Sequence, residues 1–370
     1  MVTVSLCLIV KNEESTLQRC LNSVKEIVDE IVIVDTGSTD RTIEIAAQFT
    51  NKVLEFSWED DFSKARNFSF QQATKDYILW LDADDVLNEK DVEKFLELKK
   101  TLSSQVDAVA MDYYLDFDEY GNVAGKIKKY RLVRRMAGFK WIGSVHEYLD
   151  VEGKVEISNI SIIHKSERHS KDRNLRIYKD KLAKGETFEA RDLYYFANEL
   201  KENGRMYDKA IFYFNKFLNT GEGWIEDKIS ACSKLADCYF EKGEHDKEYT
   251  AILTSFIYDI PRPEFCCRLG YYFLERNELR NAIYWYYVAI QLEISNECSG
   301  FVNPAFSTWL PHLQLCVCYD RLQQYDLAYQ HNESARKFRP EDPQILHNKQ
   351  YLEVMKDRNL TSLGETYVGI

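Results

Sequence analysis

The sequence predicts an α/β domain built on a mixed, mostly parallel sheet, followed by an all-α domain of helical repeats. Two observations carry this expectation. Up to residue 85, apolar runs alternate with helical periods and polar turns, the pattern of β-α-β units. Beyond residue 193, small residues recur at matching distances from bulky aromatics, the pattern of stacked helix pairs. A chain of 370 residues has room for both. The expected divisions are 1–165 for the α/β domain, 166–192 for a linking helix, 193–356 for the repeats and 357–370 for a tail.

Each element has its own signal. Val2–Val10 reads as a first strand, and the helix after it, from about Ser15 to Val24, aligns Leu17, Leu21 and Val24 on one face. Glu30–Val34 is a second strand. Gly37 permits the turn after it, and Asp40 or Ser38 can cap a helix over Thr42–Phe49. Val53–Phe56 is a third strand, and a helix opens near Asp60 and reaches Ala73. Tyr77–Leu81 is a buried strand that runs straight into Asp82, Asp84 and Asp85. Asp107–Leu115 and Lys126–Arg134 form a hairpin around Asp118–Asn122. The basic run Lys126, Lys128, Lys129, Arg131, Arg134 and Arg135 reads as a solvated strand face. Ile157–His164 is a further apolar stretch ending in His164, with His169 beyond it.

In such sheets ligands bind beyond the carboxyl ends of the strands. Those ends carry Lys11–Glu13, Asp35, Asp60–Arg66 and Asp82–Asp85. A carboxylate cluster at the end of a buried strand is costly to leave dry and unpaired. A divalent cation resolves that cost, and two aspartates alternating along an extended chain suit Mg²⁺ or Mn²⁺ with phosphate ligands. The competing reading is a solvated acidic turn. Asp35 can accept from a nucleotide base N–H, while Arg66 or Lys64 can meet phosphate oxygens. His146 and Glu147, beside Gly143 and Trp141, suggest proton transfer. His164 can be a third metal ligand beside Asp84.

Composition excludes several classes. The net charge of −12 disfavours a nucleic-acid partner. The first ten residues lack a basic n-region and a cleavage site, and no apolar run is long enough to cross a membrane. Nine cysteines, with no CxxC pair, read as reduced thiols of a cytoplasmic protein. Neither GxGxxG nor GxxxxGK[ST] occurs.

The order Val10-Lys-Asn-Glu-Glu14, Val34-Asp-Thr-Gly-Ser-Thr-Asp-Arg-Thr42, Asp60-Asp-Phe-Ser-Lys-Ala-Arg-Asn67 and Trp80-Leu-Asp-Ala-Asp-Asp85 resembles the family 2 glycosyltransferases of GT-A fold. The likeness covers roughly residues 1–165. It implies that Asp35 contacts the uracil of a UDP-sugar, with Val10, Asn12, Glu13, Lys64, Arg66, Asp82 and Ala83 in the nucleotide-binding set. It also implies that Asp82 and Asp84 form the DxD metal pair and that His164 reaches the metal. A Val-His-Glu stretch like Val145-His146-Glu147 is similar to that of the sublancin-type peptide S-glycosyltransferases, which makes Glu147 the first choice of base and His146 the second.

In the C-terminal half, Ala197, Ala236, Gly270 and Cys316 occupy equivalent small-residue positions. Gly270 is followed at offsets of 12 and 19 by Ala282 and Ala289, and Cys316 at the same offsets by Ala328 and Ala335. This spacing resembles the tetratricopeptide pattern. An irregular insertion, about Ser295–Trp309, interrupts the array.

Together these readings point to a metal-dependent inverting transferase moving a hexose or N-acetylhexosamine from a UDP-sugar to a protein or peptide held by the repeats. A glycan or lipid-linked acceptor is an alternative, as is a non-catalytic repeat adaptor with a degenerate nucleotide-binding domain. The acidic loop Lys11–Glu14 argues against a nucleotidyltransferase, whose triphosphate needs a Gly-rich, basic loop. Exposed repeat edges leave a homodimer open.

Overall fold

A computed structural model describes residues 1–166, 173–292 and 300–366, with side chains described as far as 358. The chain forms two compact units. One comprises Met1–Asp116 and Lys126–Thr187; the other comprises Phe117–Gly125 and the chain from Phe188 onward.

In the first unit the expected alternation is present: β1 (Val4–Val10), α1 (Leu17–Val24), β2 (Glu30–Asp35), α2 (Thr42–Ala46), β3 (Val53–Glu55), α3 (Phe62–Gln71) and β4 (Tyr77–Trp80). Next come β5 (Asp85–Val86), α4 (Glu89–Thr101), β6 (Ala108–Phe117), β7 (Val123–Arg134), β8 (Lys140–Ile142), β9 (Tyr148–Asp150) and β10 (Val155–His164). The sheet order is β3-β2-β1-β4-β7-β6-β10-β5, with β8 and β9 as a separate hairpin. β1 pairs in parallel with both β2 and β4, β7 is antiparallel to β4, and β10 is parallel to β6. The sheet is therefore mixed, and the carboxyl ends of β1, β2, β4 and β10 lie along one edge. Its core is built from the inward residues of the strands and helices, including Leu6, Leu8, Leu17, Leu21, Leu79, Phe95 and Met111. Their burial supplies the hydrophobic drive that orders the strand ends.

Three local features differ from expectation. β5 is two residues long and pairs antiparallel with the end of β10, so the chain after β4 turns back into the sheet. The linking segment is not one helix. α5 covers Arg173–Ala183 and stops where Gly185 takes φ +76° and Glu186 N–H returns to Lys181 O, a glycine-terminated helix end. Part of that expected helix, and His169, lie outside the described residues. The basic run on β7 is not a solvated face. Arg131 is wholly buried, and Lys126 and Lys128 both engage Asp112.

The second unit is built from antiparallel helix pairs: α6 (Ala190–Glu202) with α7 (Tyr207–Asn219), α8 (Ile225–Glu241) with α9 (His245–Thr254), α10 (Pro263–Glu275) with α11 (Leu279–Gln291), and α12 (Trp309–Arg321) with α13 (Tyr325–Arg336). α14 (Pro343–Thr366) follows and extends through much of the expected tail. Extending a formed helix avoids the cost of nucleating one, which sequence periodicity does not register. The start of the expected insertion lies outside the described residues; its end is a short 3₁₀ turn at Pro304–Ser307. The hairpin tip at 117–125 groups with this unit. Arg339 pairs there with Asp118 at 2.9 Å and lies over the Trp309 ring. A cavity of about 630 Å³ opens among the pairs, lined by Lys201, Arg205, Asp237, Arg268, Tyr271 and Tyr286.

The small-residue positions have a steric cause. Ala197, Ala236, Gly270 and Cys316 are all buried. A Cβ on Gly270 would stand 2.6 Å from Cε1 of the buried Tyr286. Gly270→Ala should gain about 1 kcal/mol in helix propensity but lose about 1–3 kcal/mol by overpacking. Thermal melting checks this: a lower melting temperature is expected, and an unchanged or higher one contradicts the packing account.

Candidate active site at the strand ends

Parallel pairing places Val10 opposite Asp35 at the ends of β1 and β2. The loops beyond are tied together. Thr36 donates both its N–H and Oγ1 to Val10 O, at 2.9 and 3.1 Å. Asn12, at φ +57°, donates its N–H to Ser38 Oγ and accepts from Thr39 N–H at 2.7 Å. Glu13 donates its N–H to Thr42 Oγ1 and accepts from Thr16 Oγ1, both at 2.7 Å. Burial raises the Glu13 carboxyl above the usual range, and the negative charges of Asp84, Asp40 and Asp82 add to the rise against the Thr16 hydrogen bond. Asp35 sits inside this frame, 3% exposed. Its Oδ2 accepts from Gly37 and Ser38 N–H at 2.9 Å each, while its Oδ1 is buried with no hydrogen-bond partner. A buried acceptor left in that state costs about 1–3 kcal/mol, which a ligand N–H would recover.

The acidic cluster is shaped by a turn, not by extended alternation. Asp85 N–H bonds to Asp82 O at 3.0 Å, and Ala83 is buried within the turn. Asp85 is fully buried. Its Oδ2 lies 3.0 Å from an Arg131 guanidinium nitrogen and accepts from Asp82 N–H at 2.9 Å, while its Oδ1 accepts from Tyr113 OH at 2.8 Å. These contacts draw residue 85 into β5 and separate the two aspartates expected to point together. Asp82 turns toward Arg66, and Asp84 turns toward His164.

Arg66 is held by α3, whose N-terminus is capped by Asp61 accepting from Lys64 N–H. Asn67, one residue on, exchanges two 2.9 Å hydrogen bonds with the backbone of Trp141, fixing α3 against β8. The buried guanidinium reaches Asp82 Oδ1 at 2.7 Å and Glu147 Oε1 at 2.6 Å, and lies over the Trp80 and Trp141 rings. Burial favours the neutral form of Asp82, but Arg66, Arg131 and Lys129 outweigh it and hold the carboxyl well below the usual range. Three expected site residues thus meet: Arg66, Asp82 and Glu147. His146 adopts φ +52°, and its ring stacks over Tyr178 with centroids 6.5 Å apart. Lys64 is directed elsewhere, with its ammonium 2.5 Å from Glu59 in a pair more than half exposed.

His164 ends β10. Its Nδ1 is 2.8 Å from Tyr113 OH, 3.4 Å from Asp84 Oδ1 and 3.5 Å from Asp85 Oδ1. Ligand atoms of Asp84, Asp85 and His164 lie within 4.8 Å of one another. Oxygen donors with one imidazole suit Mn²⁺ or Mg²⁺. Asp85 is already engaged by Arg131 and Tyr113, so Asp84 and His164 are the side chains best able to turn to an ion. The geometric cluster therefore contains Asp85 where Asp82 was expected.

Sequence reasoning missed Asp85, Arg131, Tyr113 and Lys129 as parts of this site. The i, i+2 spacing of Lys129 and Arg131 on one strand was the available signal, since such residues share a face. Both cations lie over the Trp80 and Tyr113 rings.

The two carboxylates push the His164 imidazole up to about 10: Asp84 first, then Asp85. A metal requires the neutral ring, so binding must release that proton. Below the raised value, affinity should therefore rise with pH, by up to about tenfold per unit. Titration calorimetry with Mg²⁺ or Mn²⁺ at pH 6.5 and 8 checks this; equal affinities would remove His164 from the ligand set.

Residues 5–148 match the model for glycosyl transferase family 2. A TPR repeat-containing protein of Synechococcus elongatus is 41% identical over 150 residues, which are 40% of this chain and 36% of that protein. The SPbeta prophage-derived glycosyltransferase SunS of Bacillus subtilis is 32% identical over 149 residues, 39% of this chain and 34% of SunS. The match thus spans about a third of the length of these relatives. Glucosyl-3-phosphoglycerate synthase from Mycobacterium tuberculosis, solved with Mn²⁺, UDP-glucose and phosphoglyceric acid, aligns with a TM-score of 0.26 at 20% identity, covering 32% of this chain and 45% of that one. Residues 5–148, which carry Asp35, Arg66, Asp84, Asp85 and Glu147 but not His164, match as a glycosyl transferase family 2 domain.

Proposed function

We propose that this chain is a metal-dependent, inverting glycosyltransferase that moves a hexose or N-acetylhexosamine from a UDP-sugar to a protein or peptide acceptor. One juxtaposition carries the reading. At the same sheet edge of a family 2 domain, a buried aspartate oxygen lacks a partner while Asp84 and His164 converge beside an acidic turn.

Asp35 Oδ1 accepts from an N–H of the uracil, which supplies its missing hydrogen bond. Asp84 and His164, with Asp85 adjacent, hold the divalent ion. When bound, such an ion offsets negative charge on the departing diphosphate. Arg66 keeps Asp82 ionised and fixes Glu147 against the strand ends. The acceptor O–H or S–H attacks the anomeric carbon. Its proton passes to Glu147, the bond from that carbon to the β-phosphate oxygen breaks with inversion, and UDP leaves. His146, one residue before Glu147, is the second candidate for that proton. The helix pairs and their 630 Å³ cavity support a polypeptide acceptor, since stacked repeats present extended surfaces. Among the described residues no helix is long and apolar enough to cross a membrane. Among the described residues, eight cysteines are free and buried, which fits a reducing, cytoplasmic setting.

Asp84→Asn should abolish sugar transfer and the metal-dependent part of UDP binding while leaving the melting temperature near that of the parent protein. Full activity in that variant would rule out Asp84 as a metal ligand. Glu147→Gln should slow transfer about 10²-fold, the scale of a lost general base, with UDP affinity retained. Loss of rate and UDP affinity together would instead mean that Glu147 acts by positioning Arg66.

A further inference from the structure

The cations at the strand ends are not equivalent. Arg66 is shared between Asp82 and Glu147, and Arg131 is matched by Asp85. On the same strand as Arg131, Lys126 and Lys128 both engage Asp112. Lys129 is different. Its ammonium lies 4.5 Å from the Tyr113 ring centroid and 5.5 Å from that of Trp80. Among the described residues, no carboxylate oxygen comes within 4.0 Å of it. Burial first, and then the charge of Arg131, push its ammonium down to about 8, against the opposing pull of Asp82 and Asp85. Two aromatic faces thus hold a half-buried cation beside the acidic turn without satisfying its three N–H donors.

We propose that Lys129 is the protein cation that receives the diphosphate of the nucleotide-sugar, on the side of the site where Asp84 and His164 converge. The inference rests on the donor reading above and adds to it a donor contact from β7.

Charge balance supports the assignment. The two arginines face three carboxylates, so they leave no surplus positive charge for phosphate. A divalent ion at Asp84 leaves one net positive charge, too little to neutralise the negative charge of a diphosphate. An ammonium is a compact point charge suited to phosphate oxygens. The ring contacts are weak enough for the ammonium to leave them for a phosphate. As the bond to the β-phosphate oxygen breaks, negative charge grows there, so a cation at that place stabilises the departing group more than the ground state.

The test measures binding of UDP and of uridine to the full chain with Mn²⁺, by calorimetry, in the parent protein and in Lys129→Met, Lys129→Gln, Lys129→Arg and Lys128→Met. Lys129→Met and Lys129→Gln should weaken UDP binding by roughly 10-fold or more, the range of a charge-assisted hydrogen bond, and leave uridine unchanged. Lys129→Arg should recover part of the loss, and Lys128→Met should bind UDP as the parent does. Using both the apolar and the polar neutral variant guards against misfolding of either. A parent protein that binds UDP, with Lys129→Met and Lys129→Gln binding it equally well, would overturn this inference alone. Equal loss of uridine and UDP binding would also overturn it, since the effect would then not be on phosphate. A parent protein that binds no UDP would overturn the donor reading and this inference with it.

Discussion

A fully buried ion pair, Arg131 with Asp85, fixes the geometry on which the candidate site depends. Removing two charges from water is expensive, and their attraction repays that only when further hydrogen bonds satisfy the remaining atoms. Here Tyr113 OH and Asp82 N–H satisfy both carboxylate oxygens; on the arginine, Nη1 donates to Trp80 O at 3.2 Å while the buried Nε and Nη2 make no hydrogen bond, so the pair is satisfied on its acidic side only. The guanidinium also lies 3.9 Å from the Trp80 ring centroid and 4.3 Å from that of Tyr113. The pair joins β7 to β5 and so bends the chain after β4. That bend turns Asp82 toward Arg66 and leaves Asp84 beside His164.

The same economy of charge governs the neighbouring contacts. One arginine, Arg66, serves the acidic turn and the segment after β8 together, with the Trp80 and Trp141 rings on its faces. Low local dielectric strengthens such pairs and makes an unmatched group costly. Against that background two of the unmatched groups are informative. Asp35 Oδ1 lacks a donor, and Lys129 lacks an acid. They carry opposite charge and lie near strand ends that a nucleotide with a base at one end and phosphates at the other would span.

The helical unit is held together differently. Its interior is built from small residues facing rings, as at Gly270 and Tyr286, and from buried cysteines such as Cys266 and Cys316. Packing of this kind is sensitive to volume and indifferent to charge. Charged side chains such as Lys201, Asp237 and Arg268 collect instead around the cavity. The two units therefore draw on separate physical resources within one chain.

By itself the sequence determined β1 to β4, β6, β7, the helices α1 to α3 and the repeat pairs, because periodicity, glycine turns and small-residue spacing are local properties of the chain; it did not determine β5, α4, β8 or β9. It also identified Asp35, Arg66, Asp84, Glu147 and His164 as polar residues at strand ends or in the loops and helix starts that follow them. Only the tertiary structure decided which charge meets which. Asp85 read as one carboxylate of an acidic turn and became the buried anchor; Arg131 read as one of six cations on a solvated strand face and became its partner. Lys64 and Arg66 differ by half a helical turn, yet one faces solvent and the other the core. The pairing of residues 85 and 131, or 66 and 147, depends on the order and direction in which strands enter the sheet. Sheet order is fixed by burial summed over the whole domain, which no short stretch of sequence contains.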